Sequence, residues 1–424
     1  MRPPPTAHPA LWPLRFLSVE AMSGLVLLAA AAIALACANS PFSHAYEALW
    51  QQRLSFGVPW LSDCDLHFWV NDGLMTIFFL LIGLEIRREI SDGSLSNPRL
   101  ATLPLIAAAG GVLVPALLYV LVCILAGSAP LARRGWAIPT ATDIAFAAGV
   151  LSLVPRVPPA LRMLLLTLAI ADDVAAIVII ALFYSGGIAP AQFLLVAAGI
   201  ALVLLLQALR VQSALAYVVP GAVVWIGMLR AGVHPTLTGV VLGLLTPVTA
   251  AFGLRTRQRP VLRAHPSVAE RLDPPGAPEP PVVRVEAMLH PYVAFGIMPL
   301  FAFANAGVSL EGLNLGAGAP LAIGSGIVLG LVLGKPIGIV LAALAALRLK
   351  LVELPEGVRC RQLVLLGNLG GIGFTMSIFI ANLAFEDRRV LAAAKFAVLV
   401  GSALAGALAL TLGRSRSAAL ALRG

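Results

Sequence analysis

The sequence predicts an all-α polytopic membrane protein with about twelve transmembrane helices, built from inverted repeats in which two discontinuous helices cross at mid-membrane. Three observations lead to this fold class. Hydrophobic residues make up 59% of the 424 residues and charged residues only 12%, whereas soluble domains average about 25% charged residues. Apolar runs long enough to cross a bilayer recur along the chain. Two of these runs are interrupted, at corresponding places in the two halves.

The same composition argues against several other classes of protein. The 29 Lys and Arg residues are dispersed, so the formal net charge of +9 does not indicate nucleic-acid binding. No segments of about ten residues alternate in hydrophobicity as the strands of a membrane barrel do. The four cysteines have neither disulfide nor metal-ligand spacing, and we expect no cofactor.

The predicted helices are separated by polar or Pro/Gly-rich breaks. They cover residues 20–38, 67–86, 101–122, 137–154, 160–183, 192–209, 214–230, 235–252, 287–309, 319–347, 362–385 and 391–412. Eight of them lie in 20–252 and four in 287–412, and a Pro- and Arg-rich cytoplasmic loop at 253–286 joins the two groups. Residues 39–66 form the longest external loop, which is either an interfacial aromatic segment or a contact between subunits.

The Lys and Arg residues predict the orientation, because cytoplasmic loops are enriched in them. If the N-terminus is cytoplasmic, most of the 29 fall on the cytoplasmic side. The tails at 1–19 and 413–424 are then both cytoplasmic. A cleaved signal peptide ending near Ala36-Cys37-Ala38 is an alternative, but twelve helices with both ends on one side fit the charges better.

Four charged residues are predicted deep in the membrane, namely Asp143, Asp172, Asp173 and Lys335. Each would cost about 2.5–3.5 kcal/mol at mid-membrane if it faced lipid, so each must face protein or water. Such residues indicate a functional site. The alternative is a buried ion pair, such as Asp172 with Lys335, that only fixes the register of two helices.

Asp172 and Asp173 are adjacent, so on a helix their side chains point about 100° apart. One can face a cavity while the other faces a neighbouring helix. Carboxylate oxygens suit small hard cations, and two close carboxylates in a low-dielectric site do not both stay ionised without compensation. We therefore expect protons and a small cation to compete for this pair. That competition suffices for proton-coupled exchange if the site faces one side at a time.

The two interruptions have different causes. Pro139, in Ile-Pro-Thr-Ala-Thr-Asp (138–143), removes a backbone donor, and four glycines within 367–373 disfavour a continuous helix. Crossed broken helices bring like partial charges together. Asp143 would offset the positive N-terminal ends, and Lys335 the negative C-terminal ends. The alternative for the glycines is close packing between helices.

A further set of polar residues lies near the ends of predicted helices. Glu85, Glu89, Glu286 and His290 are on the predicted cytoplasmic side, and His234 is at an external junction. These are either ordinary interfacial residues or parts of a pH-sensing system that also attracts cations.

Taken together, the residues resemble the NhaA-type sodium/proton antiporters of bacteria from Leu66 to about Arg414. The motifs that carry the resemblance are Asn71-Asp72-Gly73, Gly83-Leu84-Glu85, Gly93-Ser94-Leu95, Gly135-Trp136-Ala137-Ile138-Pro139, Thr142-Asp143-Ile144-Ala145-Phe146, Ala169-Ile170-Ala171-Asp172-Asp173, Gly232-Val233-His234, Leu289-His290-Pro291, Phe301-Ala302-Phe303-Ala304-Asn305-Ala306-Gly307-Val308, Gly334-Lys335-Pro336 and Gly371-Ile372-Gly373-Phe374-Thr375-Met376-Ser377.

The resemblance implies that Asp172 and Asp173 bind Na⁺ and H⁺, and that Asp172 pairs with Lys335 when no cation is bound. Asp143 and Thr142 would belong to the same cation- and proton-binding site, and together they would compensate the broken helices. The residues implied in activation at alkaline pH are Glu85, Glu89, Glu286 and His234.

The resemblance also implies electrogenic exchange of Na⁺, and of Li⁺, across the bacterial inner membrane. It implies a homodimer whose contact includes the external loop 39–66. Two features depart from the family pattern: Thr140, which adds a hydroxyl near the site, and the length and proline content of the loop 253–286.

Two other functions are less consistent with these residues. An intramembrane aspartic protease also needs two aspartates in the membrane, but its aspartates follow tyrosine and a Gly-x-Gly motif, and none of Asp143, Asp172 and Asp173 does. A channel would need an open polar path, and a carrier of organic solutes would need aromatic or amide groups near the aspartates. We therefore expect a transporter and not an enzyme.

Overall fold

The fold is known from a computed structural model, which describes residues 12–54, 64–187, 189–211, 213–248, 280–311 and 318–421. Across these ranges the chain is almost entirely helical, and the extended structure amounts to a single bridge between Arg53 and Asp65. The described helices are α1 (Trp12–Ala38), α2 (Ser43–Trp50), α3 (Leu66–Ser91), α4 (Pro98–Leu125), α5 (Ile144–Ser152), α6 (Pro159–Phe183), α7 (Pro190–Ala208), α8 (Ala214–Ala231), α9 (Leu237–Leu245), α10 (Pro281–Asn305), α11 (Ala319–Arg348), α12 (Gln362–Gly370), α13 (Phe374–Ala384) and α14 (Arg388–Ala421).

The predicted fold class is confirmed, and the number of helices that can cross a membrane is compatible with it. In the described part of the chain, 8 continuous helices are long and apolar enough to cross, or up to 10 if each of two bent pairs counts as one span. The predicted spans 137–154 and 235–252 contain helices of only 9 residues, α5 and α9. The first of these spans is interrupted just before α5. The second lies outside the described residues beyond residue 248.

Four predicted boundaries differ from the structure. Helix α1 begins at Trp12, inside the predicted N-terminal tail 1–19. Most of the predicted loop 253–286 lies outside the described residues, but α10 already begins at Pro281 because proline is well tolerated at the first position of a helix. The last helix continues to Ala421, beyond the predicted end at 412. In the loop 39–66, residues 43–50 form α2, and residues 55–63 lie outside the described residues.

The helices pack into two groups. The site bundle, as we call α4, α5, α6 and α11–α14, is held together by contacts of α4 with α11 and of α14 with α11, α12 and α13. The second bundle contains α3 and α7–α10, in which α3 packs on α9 and α10, and α7 packs on α8. Helix α1 contacts both groups, through α5 and α10.

Glycine allows the closest approach between helices within each bundle. A Cβ on Gly338 of α11 would lie 2.1 Å from the carbonyl oxygen of Gly110 on α4, and a Cβ on Gly239 of α9 would lie 2.1 Å from the carbonyl oxygen of Thr76 on α3. Both distances are too short for a real side chain. Small residues at helix contacts are typical of membrane bundles, because they let the backbones approach closely.

Helix α2 folds back sharply after α1, with a bend of 116°, and lies against the end of α10. Tyr46 and Trp50 make edge-to-face contacts with Phe303, and the Tyr46 hydroxyl donates to the Phe303 carbonyl. Burial raises the pKa of Tyr46 to about 12, so its hydroxyl remains a donor at physiological pH. The part of the loop 39–66 nearest α1 is therefore anchored against the rest of the chain.

Candidate cation and proton site

The two interrupted segments cross at the centre of the site bundle. A 3₁₀ helix over Pro130–Thr140 gives way to an extended backbone and then to α5 at Ile144. The other segment breaks between α12, which ends at Gly370, and α13, which begins at Phe374. The backbone N–H of Asp143 donates to the carbonyl of Ile372 at 2.7 Å, so the crossing point is itself hydrogen-bonded. Both predicted interruptions are confirmed.

Asp143 lies at the N-terminal ends of two helices. Its Oδ1 accepts a hydrogen bond from the N–H of Phe146 in α5 at 3.0 Å. Its Oδ2 accepts from the N–H of Thr375 in α13 at 3.1 Å and also from the Thr375 hydroxyl. A carboxylate at this point satisfies otherwise unpaired N–H groups and faces the partial positive charge of both helix ends.

Lys335 and Thr142 lie beside the C-terminal ends of the two helices that precede the breaks. The Lys335 ammonium donates to the carbonyl of Thr140, where the 3₁₀ helix ends. The Thr142 hydroxyl lies 2.8 Å from the carbonyl of Gly370, where α12 ends. The last carbonyl of each of these two helices therefore has a donor within reach.

Asp172, on α6, joins this arrangement through one carboxylate oxygen. Its Oδ2 lies 2.8 Å from Lys335 Nζ, and both side chains are fully buried. The same oxygen lies 2.5 Å from the Thr142 hydroxyl. Thr142 has a single hydroxyl proton and two acceptors within reach, Asp172 and Gly370, so it donates to one of them at a time.

Two carboxylate oxygens at the site are left open. Oδ1 of Asp172 and Oδ1 of Asp173 are both buried and have no hydrogen-bond partner among the described residues. Asp173 is also close enough to Glu85 and Asp143 for their charges to repel one another. Buried unpaired carboxylate oxygens are costly, and either a proton or a hard cation would satisfy them.

The donor set of the site consists of hard oxygen atoms. In the ranges that the structure describes, no three His, Cys, Asp or Glu residues are arranged to hold a metal ion. The available ligands are two carboxylates, a hydroxyl and backbone carbonyls. Such oxygen ligands suit a weakly bound hard cation that must leave again.

Two of the glutamates proposed for pH response, Glu89 and Glu286, lie at one end of the bundles, and Glu85 lies one helical turn nearer to Asp173. Glu286 Oε2 is 2.9 Å from Arg88 Nε. The carboxylate of Glu89 accepts from the N–H of Ser94 at 2.6 Å and from its hydroxyl at 3.0 Å. The Ser94 hydroxyl in turn lies 2.8 Å from that of Thr167, on the helix that carries Asp172. A continuous set of hydrogen bonds therefore links Glu89 to α6.

His234 is not brought together with these glutamates. It lies in the turn between α8 and α9, 3.5 Å from Asp72 at the start of α3, whereas Glu85 lies about 20 Å further along that helix. Burial lowers the pKa of His234 to about 4. Its imidazole is therefore neutral over the range in which an alkaline response would occur.

Sequence reasoning missed two polar residues. Thr375 reaches Asp143 from the far side of the second break, and its position just after the glycine run was the available signal. Lys335 was predicted to be the single basic residue deep in a helix, but Lys395 is also buried, with 9% of its side chain exposed. It lies two turns inside α14, which begins at Arg388, in a run of alanines that could have indicated burial.

The chain is similar to proteins of a known family along nearly its whole length. The family model described as Na⁺/H⁺ antiporter 1 matches residues 14–412. The chain is 52% identical over 421 residues to the Na⁺/H⁺ antiporter NhaA of Cupriavidus necator, covering 94% of this chain and 88% of that protein. It is 52% identical over 434 residues to the Na⁺/H⁺ antiporter NhaA 2 of Pseudomonas putida, covering 96% and 94%. For the Na⁺/H⁺ antiporter NhaA of Bartonella tribocorum the identity is 46%, covering 94% and 91%.

Proposed function

The chain belongs to the Na⁺/H⁺ antiporter 1 family, a family of multi-pass bacterial membrane transporters, and from this premise we propose that it exchanges Na⁺ for H⁺ by alternating access. The observation that carries the proposal is the buried Asp172–Asp173 pair, with one unpaired oxygen on each carboxylate, beside two crossed helix breaks.

The exchange follows from competition at these carboxylates. Without a cation, Asp172 is held by Lys335 and Asp173 is neutralised by a proton. When Na⁺ enters, the carboxylates and the Thr142 hydroxyl become its ligands, and the displaced protons leave to the same side. When the site faces the opposite side, protons return and Na⁺ is released. Cation and protons never occupy the site together, so their flows are coupled.

Asp143 acts differently from the other two aspartates in this scheme. Its two oxygens are already occupied by donors from α5 and α13. We infer that it holds the crossing together and supplies negative charge near the site, while the cation binds at Asp172 and Asp173. Lys335 supplies the opposite charge at the C-terminal ends of the helices that precede the breaks.

Exchange is proposed to be electrogenic. Asp173 and the Asp172–Lys335 pair can each hold an exchangeable proton, so one Na⁺ displaces more than one H⁺ and net charge moves in each cycle. Li⁺ is proposed as a second substrate, because it is also a small hard cation. We further propose that the protein extrudes sodium across the inner membrane as a homodimer with both termini cytoplasmic.

Activation at alkaline pH is proposed to depend on Glu85, Glu89 and Glu286. The support is their position at one end of the bundles, where Arg88 pairs with Glu286 and the hydrogen bonds of Glu89 continue through Ser94 to α6. Exchange should be slow in acid and should rise between about pH 6.5 and 8.5. A flat profile over that range would remove this assignment and leave the exchange itself in place.

The decisive experiment measures proton movement in everted membrane vesicles after addition of Na⁺, Li⁺ or K⁺ over a pH series. The Asp173→Asn variant should lose Na⁺-driven proton movement, because the amide carries no charge and neither binds nor releases a proton. A matched control is Asp387→Asn, which changes an exposed aspartate that caps α14 through the N–H groups of Arg389 and Val390. Unchanged exchange in Asp173→Asn would overturn the proposal.

A further inference from the structure

A second buried polar cluster lies at the end of the molecule opposite Glu89. We call it the amide cluster; its members are His67, Asn71, Asn305, Asn382 and Lys395. On α10, Asn305 lies about 28 Å from Glu286 along the helix axis, so the cluster and the glutamates occupy opposite faces of the membrane.

Three residues of the amide cluster form a closed ring of hydrogen bonds. His67 Nε2 lies 3.1 Å from Asn305 Oδ1, Asn305 Nδ2 donates to Asn71 Oδ1 at 2.7 Å, and Asn71 Nδ2 lies 2.9 Å from His67 Nδ1. In this ring each residue donates once and accepts once, with a neutral His67 that carries its proton on Nε2. The ring joins α3 to α10, which both belong to the second bundle.

The other two residues of the cluster come from the site bundle. Asn382 Nδ2, at the end of α13, donates to Asn305 Oδ1 at 2.8 Å, and Lys395 Nζ, on α14, donates to the same oxygen at 3.2 Å. An amide oxygen has two lone pairs, yet this one faces three donors. The contact between the two bundles is therefore hydrogen-bonded but not fully satisfied, and Asn382 Oδ1 is itself buried without a partner.

Lys395 brings a buried amine without a carboxylate partner to this contact. Among the described residues, no carboxylate lies within 4.0 Å of its ammonium, although its side chain is nine-tenths buried. A buried ammonium that is not paired is costly in a low-dielectric region. A residue kept in this state at a bundle contact calls for a reason other than stability.

A layer of aromatic rings lies between the amide cluster and the cation site. Phe379 of α13 contacts Phe79 of α3, with ring centres 5.2 Å apart, and Phe301 of α10, with ring centres 6.3 Å apart. All three are essentially fully buried. Along α13, Thr375 of the cation site, Phe379 and Asn382 follow one another at about one turn each. The order from mid-membrane outwards is therefore site, rings, amides.

We propose that the three rings and the amide cluster form a two-layer gate, which closes the path between Asp172–Asp173 and the membrane face opposite Glu89. The inference rests on the proposed exchange, because only a transporter with alternating access needs such a closure. A hydrophobic constriction is a general means of stopping ion passage through a pore. Here three buried rings and the hydrogen bonds to Asn305 lie together at the contact between the two bundles.

The gate is tested by the accessibility of a cysteine placed on its inner side. Met298 is buried and lies one turn deeper than Phe301 on the face of α10 that carries Asn305. We would introduce Met298→Cys after replacing Cys37, Cys64, Cys123 and Cys360 by serine. Right-side-out and everted vesicles would then be treated with a charged, membrane-impermeant thiol reagent, so that each face is probed separately.

Removing the hydrogen bonds to Asn305 should open the outer layer. In Lys395→Met and in Asn382→Ala, labelling of Met298→Cys from the face opposite Glu89 should rise about tenfold, since each loses one bond that holds the closed state. Labelling from the Glu89 face should not rise. Arg389→Met is the matched control, because it removes an exposed positive charge from the same end of α14.

The outcomes separate the gate from a structural role and from the exchange itself. Unchanged labelling in both variants, or an equal rise from both faces, would overturn the gate, because the second result indicates general loosening. The labelling needs no transport. A chain that lacks Na⁺/H⁺ exchange but shows the one-sided rise would contradict the proposed function and keep the gate.

Discussion

At the scale of single residues, the site depends on charges that are each compensated from a different helix. Asp172 on α6 is balanced by Lys335 on α11, and Asp143 by N–H groups of α5 and α13. A buried ion pair of this kind adds little net stability, but removing one partner leaves the other charge uncompensated. The residues are therefore coupled, and single substitutions are expected to have larger effects than paired ones.

The coupling of Asp172 and Lys335 can be measured directly. Lys335→Met should lower the free energy of unfolding by about 3–5 kcal/mol, because Asp172 then stays buried without its partner. The double variant Lys335→Met with Asp172→Asn should recover a large part of that loss. Thermal unfolding in detergent measures both, and Lys350→Met, at an exposed lysine just beyond α11, is the control. A double variant less stable than Lys335→Met would contradict the pairing.

His234 gives a prediction about pH. Because burial lowers its pKa to about 4, His234 neither gains nor loses a proton between about pH 6.5 and 8.5. His234→Gln, which keeps a neutral polar side chain, should leave the pH midpoint of exchange unchanged. The pH series in everted vesicles provides the measurement. A shift of the midpoint with His234→Gln would restore this histidine to the pH response.

At the scale of the elements, the breaks in two helices create the site, and glycine contacts hold the helices around it. The helices that precede the breaks end at Thr140 and Gly370. The carbonyls of these two residues accept from Lys335 and Thr142, respectively. Helix α11, which carries Lys335, is positioned by its close approach to α4 at Gly338. Packing at this contact therefore determines how well Lys335 reaches Asp172.

The contact between α4 and α11 should tolerate no added side chain. A Cβ at Gly338 would lie 2.1 Å from the backbone oxygen of Gly110, so Gly338→Ala must push the helices apart, at a cost of about 1–3 kcal/mol. Exchange and thermal stability should both fall. Gly296→Ala on α10 is the control, because a Cβ there has nothing within 4 Å. If Gly338→Ala and Gly296→Ala had the same exchange activity and thermal stability, the close approach of α4 and α11 would not be required.

At the scale of the whole molecule, the helices divide into two bundles that have no helix in common, and the site lies almost entirely in one of them. Asp143, Asp172 and Lys335 all belong to the site bundle, whereas Glu85 and Glu286 belong to the second. Alternating access is then expected to be a movement of one bundle against the other, since rigid units move at their mutual contact.

Locking the two bundles together should stop exchange. Asn382 and Asn305 lie on opposite bundles with side chains in hydrogen-bond contact, so Asn382→Cys with Asn305→Cys, in the background without native cysteines, should be joined by a short bifunctional thiol reagent that can be cleaved by reduction. Exchange should be lost on cross-linking and should return after cleavage. Undiminished exchange at complete cross-linking would contradict relative movement of the bundles.

The sequence predicted most of the fold and the centre of the site, because both leave local signals. The spans appear as apolar runs, the breaks as Pro139 and the glycines of 367–373, and the candidate site residues as charges where the membrane makes charge costly. It did not predict Thr375, the burial of Lys395 or the partners of His234. These depend on which helices pack together, and no residue pattern of fixed spacing in the sequence predicts that packing.

The sequence by itself therefore determined that this chain is a helical membrane protein with two broken helices and a carboxylate pair at mid-membrane. The physical reason is that hydrocarbon admits only helices with satisfied backbones and few charges, so each exception is visible residue by residue. Only the tertiary structure decided which oxygens remain open at Asp172 and Asp173, and that Lys395, Asn382 and Asn305 meet between the two bundles. Those facts arise from side chains far apart in sequence, and folding alone brings them within hydrogen-bond distance.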